Sequence, residues 1–372
     1  GKIQFTTGQV FSSTHLINTA LSGLPDDVRV YMEIFKQKYS MRDIKEYAVK
    51  VSKLKVLVVG DIIIDKYTYC TVQGMMSKDT AYSARLKNIE EYFGGAAAVA
   101  RHLSSFSEHV TLMSVIGNEE NIRLKMFDEL AENISLKLIY SEEVPTITKR
   151  RYLSRNEKRD EYRKIFAINN IPERPGYEEA VREKFLEKLE DIIESYDVVF
   201  LCDFGHGLID ENVMELVQDK ARYLVLNCQT NSSNKGMNII TKYHRADAFT
   251  LDQQEINLAY PSYSDDEKTK LKKLGSHLDG IGWLTRGALG AMQIEQGRTT
   301  ECPAFTLSVK DTIGAGDAFL ALAGIFAAAG APAEIGTFMG NIGGALGANI
   351  VGNREHIEKV NALKFASTLL NV

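Results

Sequence analysis

Lys55-Val-Leu-Val-Val-Gly60-Asp61 decides the architecture. A solid apolar run without polar alternation is buried on both faces, as a strand inside a parallel sheet must be. It ends in Gly-Asp, which suits a strand whose C-terminal end carries functional groups. Similar runs recur at 110–116, 197–203, 223–227, 248–251 and 282–285. Helical stretches lie between them, at 96–106, 121–132, 177–195, 210–221 and 265–278. Strand alternating with helix predicts an α/β fold with a mostly parallel sheet covered on both faces.

Two regions interrupt the alternation. Residues 66–93 and 146–170 alternate polar and apolar side chains, as in Tyr82-Ser-Ala-Arg-Leu-Lys87 and Thr148-Lys-Arg-Arg-Tyr-Leu-Ser-Arg155. That period predicts exposed antiparallel strands with one covered face, forming a small lid sheet over the site. A half-exposed sheet invites a partner, so a homodimer through the lid is expected. Residues 1–52 stand apart. Two stretches, 26–38 and 41–51, read as helices, with Ile34, Phe35, Tyr39 and Ile44 at roughly helical spacing and Ser40 as an N-cap.

The 372 residues are 44% hydrophobic and 25% charged, enough for an ordinary core without disulfide or metal support. A net charge of −5 argues against a nucleic-acid partner. Positive charge for an anionic substrate must therefore be local. Cys70, Cys202, Cys228 and Cys302 form no paired spacing and read as free thiols. No apolar run is long enough to span a membrane. The opening Gly1-Lys-Ile-Gln-Phe5 lacks a signal-peptide pattern. A cytoplasmic location is the expectation.

Chemistry concentrates in Asp311-Thr-Ile-Gly314-Ala315-Gly316-Asp317-Ala-Phe319. Gly314 and Gly316 permit a tight turn that exposes backbone N–H groups. The small apolar run after them is helical, so those groups sit at a helix N-terminus, a site for phosphate and developing negative charge. Asp317 falls in the first helical turn beside the same site. There it can accept a proton from a hydroxyl attacking a γ-phosphate. A lone Gly-x-Gly-Asp would read as a turn and a helix cap rather than as a catalytic site; the nine-residue string is far more specific.

That string resembles the C-terminal signature of the ribokinase (PfkB) family of carbohydrate kinases. Phe93-Gly94-Gly95-Ala96-Ala-Ala98-Val-Ala-Arg101 resembles the N-terminal signature. The resemblance covers about residues 54–372 and implies a three-layer α/β/α ribokinase-like fold, ATP and Mg²⁺. It implies Asp317 as base, with the N–H groups of Gly314, Ala315 and Gly316 as anion hole. Asp65, and next Asp61, would hold sugar hydroxyls, with Gly94 and Gly95 bringing backbone close. Thr285, Gly287 and Gly290 match a nucleotide loop, and Asn341 a position near the adenine. Asp252 and Glu255 occupy the place of a motif that acts through magnesium and its waters. Each of these outside the two signatures also reads as a turn or packing residue.

Within the family, several stretches resemble the kinase domain of bacterial ADP-heptose synthesis enzymes. They are Gly60-Asp-Ile-Ile-Ile-Asp65-Lys-Tyr67, Pro145 to Asn156, and Leu201-Cys-Asp203-Phe-Gly-His-Gly207. The implied substrate is a sugar already phosphorylated. Strand alternation places Lys149, Arg151 and Arg155 on one face, where they could hold that phosphate; a solvated basic strand is the other reading. Asp203 joins the expected substrate contacts and Asn227 the nucleotide contacts. Phe11-Ser-Ser-Thr-His-Leu-Ile17 resembles the end of a nucleotidyltransferase domain, so residues 1–52 read as the tail of such a domain plus a helical linker. Residues 53–372 then form the kinase domain. Ala98 stands where the family has Asn, Asn227-Cys228-Gln229 replaces Asp-Pro-Lys, Asp252 replaces Asn, and Val351-Gly-Asn-Arg-Glu-His356 lacks a Gly-Thr. These departures keep a non-catalytic binding relic, or another small-molecule kinase of this fold, as alternatives.

Overall fold

The computed structural model describes residues 24–130, 134–156, 161–172, 176–231, 234, 236–305 and 309–371, apart from the side chains of residues 155, 156, 161 and 162. The motif at 11–17 and the side chain of Arg155 lie outside the described residues. The chain opens with helices α1 (Asp26–Lys38) and α2 (Met41–Ser52). Then follow β1 (Lys55–Gly60), β2 (Ile62–Met75), β3 (Tyr82–Gly95) and α3 (Ala96–Ser104). Next are β4 (His109–Gly117), α4 (Glu120–Glu129), β5 (Ile134–Ser141), β6 (Ile147–Asn156) and β7 (Glu161–Asn170). The middle holds α5 (Glu179–Ile193), β8 (Val198–Asp203), α6 (Glu211–Lys220), β9 (Leu224–Cys228), β10 (Ala248–Asp252), α7 (Gln253–Ala259) and α8 (Glu267–Leu278). The chain ends with β11 (Ile281–Thr285), β12 (Ala291–Glu295), β13 (Arg298–Cys302), α9 (Ala315–Ala328), α10 (Ala333–Gly347) and α11 (Lys359–Asn371).

A nine-stranded sheet runs in the order β13-β12-β11-β10-β9-β8-β1-β4-β5. All its neighbours pair in parallel except β11–β12 and β12–β13. In β1, Val56 and Val58 join the core under α3, α9 and α10, while Leu57 and Val59 join the core under α5, α6 and α8. Burial on both faces is why that strand reads as an unbroken apolar run. This is the expected mostly parallel sheet between two helical layers. The apolar-run reading misses β5, β12 and β13. β5 and β13 are the edge strands, where one face stays wet and the pattern thins, and β12 is buried but short, with Gln293 breaking its apolar run. Gln296 (φ 48°) and Gly297 (φ 75°) turn β12 into β13, as a two-residue hairpin requires.

The lid is a separate four-stranded sheet, β3-β2-β6-β7. Its strands were expected to be antiparallel, but the central pair β2–β6 is parallel, with Asp65 opposite Lys149 and Tyr67 opposite Arg151. Both strands leave the same edge of the large sheet, after β1 and after β5, so they point the same way. The N-terminal helices lie against the main body. Their buried stripe is Val28, Met32 and Phe35, whereas Ile34 is 54% exposed. Spacings of four and three follow one helical face, and Ile34 sits a step off it. Phe35 stacks on Phe338 of α10 at 4.5 Å and Lys38 pairs with Glu334 at 2.7 Å. Ser40 starts α2, its N–H donating to Asp43 Oδ2 at 2.7 Å. Among the described residues no helix is long and apolar enough to cross a membrane.

Candidate active site

A cavity of about 630 Å³ lies at the carboxyl edge of the parallel strands, under the lid. It brings together Asp65, Gly95, Lys149, Arg151, Asn227, Asp252, Glu255, Thr285, Gly287, Gly290, Gly314, Ala315, Gly316, Asp317 and Asn341. Asp61, Gly94 and Asp203 do not line it.

One end belongs to the lid. Asp65 is buried, its Oδ1 in an ion pair with the Arg151 guanidinium, which also lies 5.5 Å above the Tyr67 ring. Burial opposes the charge on Arg151, but Asp65 outweighs it and holds that group more firmly protonated. Burial lowers the Lys149 ammonium, against the pull of Asp65. A side chain at position 94 would collide with Asp65 Oδ2, so Gly94 is required behind the cavity wall. Gly95 takes φ 61°, the left-handed region, and lets Ala96 N–H reach Asp61 O at 3.0 Å where α3 begins.

Asp61 and Asp203 lie beneath the floor. Asp203 is fully engaged: Oδ1 accepts from Gly205 N–H at 2.9 Å and Asn238 at 3.1 Å, and Oδ2 from Tyr243 at 2.7 Å and Lys242 at 2.6 Å. Asp61 has no hydrogen-bond partner on either oxygen among the described residues. Burial, then the charge of Asp203, push its carboxyl up to about 7; the amides of His206 and Phe204 pull the other way without reaching bonding geometry.

Asp317 stands in the first turn of α9. Gly314 caps that helix at φ 82°, where a side chain would strike Asn353. The Ala315 N–H donates to Thr312 O at 3.3 Å. The N–H groups of Gly314 and Gly316 have no backbone acceptor among the described residues. They therefore present the positive end of the helix to the cavity. Asp317 keeps part of its surface open to the cavity. Removal from bulk water, then the nearby Asp65 charge, push its carboxyl up to about 7. Gln229 Nε2 donates to its Oδ1 at 3.4 Å.

The far end is rich in turns and carries two carboxyl groups, Asp252 and Glu255. Gly287 (φ 56°) and Gly290 (φ 83°) flank a short 3₁₀ turn after β11, and Thr285 closes that strand. Asn341 projects from α10 and donates to Cys302 O at 3.5 Å. Asp252 and Glu255 form a capping box on α7: Glu255 N–H donates to Asp252 Oδ1 and Asp252 N–H to Glu255 Oε2, both at 2.8 Å. Thr230 N–H adds a bond to Glu255 Oε1 at 3.1 Å. Even so, burial and then Asp252 push the Glu255 carboxyl up to about 8. Asn227 Nδ2 reaches Thr250, while its buried Oδ1 has no partner among the described residues.

Sequence reasoning did not assign Gln229, Thr230, Thr250, Phe305 or Asn353, all on the cavity wall. A signal existed for two of them. Gln229 and Asn353 fall in stretches that depart from the family pattern. Of the other two departures, Asp252 lines the cavity, whereas Ala98 is buried in α3 and does not.

The pattern of the pfkB family carbohydrate kinase matches residues 53–346. The bifunctional protein HldE of Actinobacillus pleuropneumoniae serotype 5b is 27% identical over 302 residues, 80% of this chain and 60% of that protein. HldE of Histophilus somni is 26% identical over 340 residues, 87% of this chain and 66% of that protein. The aligned part thus spans about 60% of the first relative's length. Phosphofructokinase-2 from Escherichia coli, in complex with substrates and products, superposes with a TM-score of 0.66 at 14% identity, over 86% of this chain and 100% of that one. Ribokinase from Thermotoga maritima gives 0.61 at 15% identity, over 84% and 99%. At these identities the superpositions speak for the fold. With the family pattern matched across most of its length, the chain belongs to the pfkB family of carbohydrate kinases.

Proposed function

We propose that the chain transfers the γ-phosphoryl group of ATP to a hydroxyl of a sugar phosphate, a heptose 7-phosphate first, with Asp317 as general base. The observation that carries this reading is the place of Asp317. It lines one cavity with the Gly314 and Gly316 N–H groups of the α9 turn and with the Asp65–Arg151–Lys149 group of the lid. The sugar oxygen bonds to the γ-phosphorus as the bond to the β-phosphate oxygen breaks. The hydroxyl proton passes to Asp317, and ADP leaves. Gly314 and Gly316 stabilise the charge on the transferring group, joined by Ala315 where its turn bond opens. Asp65 orients the sugar, and Lys149 and Arg151 face its phosphate. Asp61 supports that end from beneath the floor.

Thr285, Gly287, Gly290 and Asn341 take the nucleotide, and the unpartnered Asn227 Oδ1 is an acceptor on the same wall. The donor set fits Mg²⁺. Asp252 and Glu255 line the cavity with carboxyl groups, which suits a cation held by one or two carboxylates, phosphates and its own waters. Asp252 and Glu255 would hold it there. Mg²⁺, when bound, neutralises charge on the phosphate oxygens.

The heptose assignment rests on the lid and turn motifs and on the relatives named HldE. An ATP-consumption screen over sugar phosphates tests it, with heptose 7-phosphate expected to give the highest turnover. A different preferred sugar replaces the heptose. No transfer to any acceptor in a broad panel overturns the kinase reading in favour of a binding relic.

Residues 1–52 read further as the tail of an upstream nucleotidyltransferase-like domain with its helices. The coding sequence upstream checks this directly. The lid face turned away from the cavity carries Ile89, Phe166 and Ile168, each 45–54% exposed. A second copy covers that face in a homodimer. Light scattering at micromolar concentration is expected to return a dimer that Phe166→Glu splits. A monomeric wild type removes this interface.

A further inference from the structure

Gly352-Asn353-Arg354 joins the anion-hole segment, α3 and the lid strands at the sugar end. Gly352 N–H donates to Asp311 Oδ2 at 2.9 Å, at the start of the anion-hole segment, and a side chain at 352 would press on Tyr67. Asn353 is 4% exposed, and its Nδ2 donates to Asp65 Oδ2 at 3.3 Å. Its Oδ1 occupies the space a side chain on Gly314 would need, and its Nδ2 lies against the Gly94 turn. Its backbone oxygen accepts from Arg101 Nη1 at 2.8 Å, which ties it to α3. Arg354 reaches into the lid: Nε donates to Tyr92 at 3.2 Å and Nη2 to Glu90 at 2.8 Å.

Asp65 is thus held at both oxygens. Arg151 takes Oδ1 from the lid side, and Asn353 takes Oδ2 from the opposite side. A carboxylate with two fixed donors has one orientation, and Asp65 lines the cavity in it as a preset acceptor. Asn353 belongs to neither family signature, and it reaches Asp65 from 288 residues away in the chain.

We propose that Asn353 is a positioning residue for acceptor binding. It aims the Asp65 carboxylate at the sugar hydroxyls and sets that carboxylate against the Gly314 turn. The claim rests on the reading of Asp65 as a sugar contact. It does not depend on which sugar binds.

The test is a double-mutant cycle read in steady-state kinetics. The acceptor is whichever sugar phosphate gives the highest turnover in the screen, so failure of the heptose assignment leaves the cycle intact. Asn353→Ala is expected to raise the acceptor KM at least tenfold and to leave the ATP KM within twofold. Asn353→Ala added to Asp65→Ala is expected to lower kcat/KM by less than a further twofold, because the residue it positions is gone. Asn353→Asp, which keeps the shape but loses the donor, is expected to follow Asn353→Ala. Parallel rises in both KM values, or multiplicative losses in the double variant, overturn the proposal, since a purely structural role gives those results. A wild type without any acceptor overturns it together with the kinase reading. Thermal midpoints of each variant separate misfolding from mispositioning, and a folded Asn353→Ala with unchanged acceptor KM also overturns it.

Discussion

Asp317→Asn lowers turnover by about 10²–10⁴-fold while nucleotide affinity stays within about twofold. Asn fills nearly the same space but carries no charge and cannot take the proton. The Gly314–Gly316 turn, which meets the phosphates in the proposed reading, is untouched. The pH profile carries the second half of this expectation. Burial and the neighbouring Asp65 push the Asp317 carboxyl up to about 7, so the base form appears only as pH rises through that value. Wild-type kcat is expected to climb across an acid limb near pH 7. The residual rate of the variant is expected to be flat there. The same shift has a stability side. A raised carboxyl favours the folded state most below the ordinary carboxylate range, and that contribution is lost as pH rises through 7. A variant that keeps more than a few per cent of turnover removes Asp317 from the role of base.

Arg151→Met destabilises the protein by about 3–5 kcal/mol, because it removes the guanidinium paired directly with the buried Asp65 carboxylate and leaves only the partly desolvated Lys149 ammonium as a positive neighbour. The side chains of the pair are 15% and 6% exposed, so water does little to compensate. The Asn353 amide at 3.3 Å remains, and cannot neutralise a charge. The ring contact with Tyr67 is lost as well. The acceptor KM rises by at least about tenfold as the Asp65 carboxylate loses the fixed orientation that the guanidinium gives it. Arg151→Lys keeps the charge but not the planar fork, and recovers only part of both effects. Urea denaturation and acceptor kinetics measure the two effects. A loss under about 1 kcal/mol with an unchanged acceptor KM shows that the pair is not buried in the sense of these distances.

Much of the architecture was legible because its causes are local. β1, β8, β9, β10 and β11 are apolar on both faces, so their burial is written in consecutive residues. The Gly314–Asp317 turn was legible for the same reason, since a left-handed glycine and a helix start are properties of neighbours along the chain. The edges escaped notice: β5 and β13 bury one face at most through much of their length, and their pattern is shared with loops, while β12 is buried but only five residues long with Gln293 at its middle. The pairing direction in the lid escaped too, because it depends on where β2 and β6 leave the large sheet.

The candidate site divides along the same line. By itself, the sequence determined that a flexible turn and a carboxylate meet at a helix N-terminus, and that basic residues alternate along a strand. Only the tertiary structure decided their neighbours. It placed Gln229 on Asp317 across 88 residues and Asn353 on Asp65 across 288, and it tied Asp203 into a buried network below the cavity. Periodicity and turn chemistry act over a few residues, whereas these contacts exist only once strands and loops remote in the chain share one sheet edge.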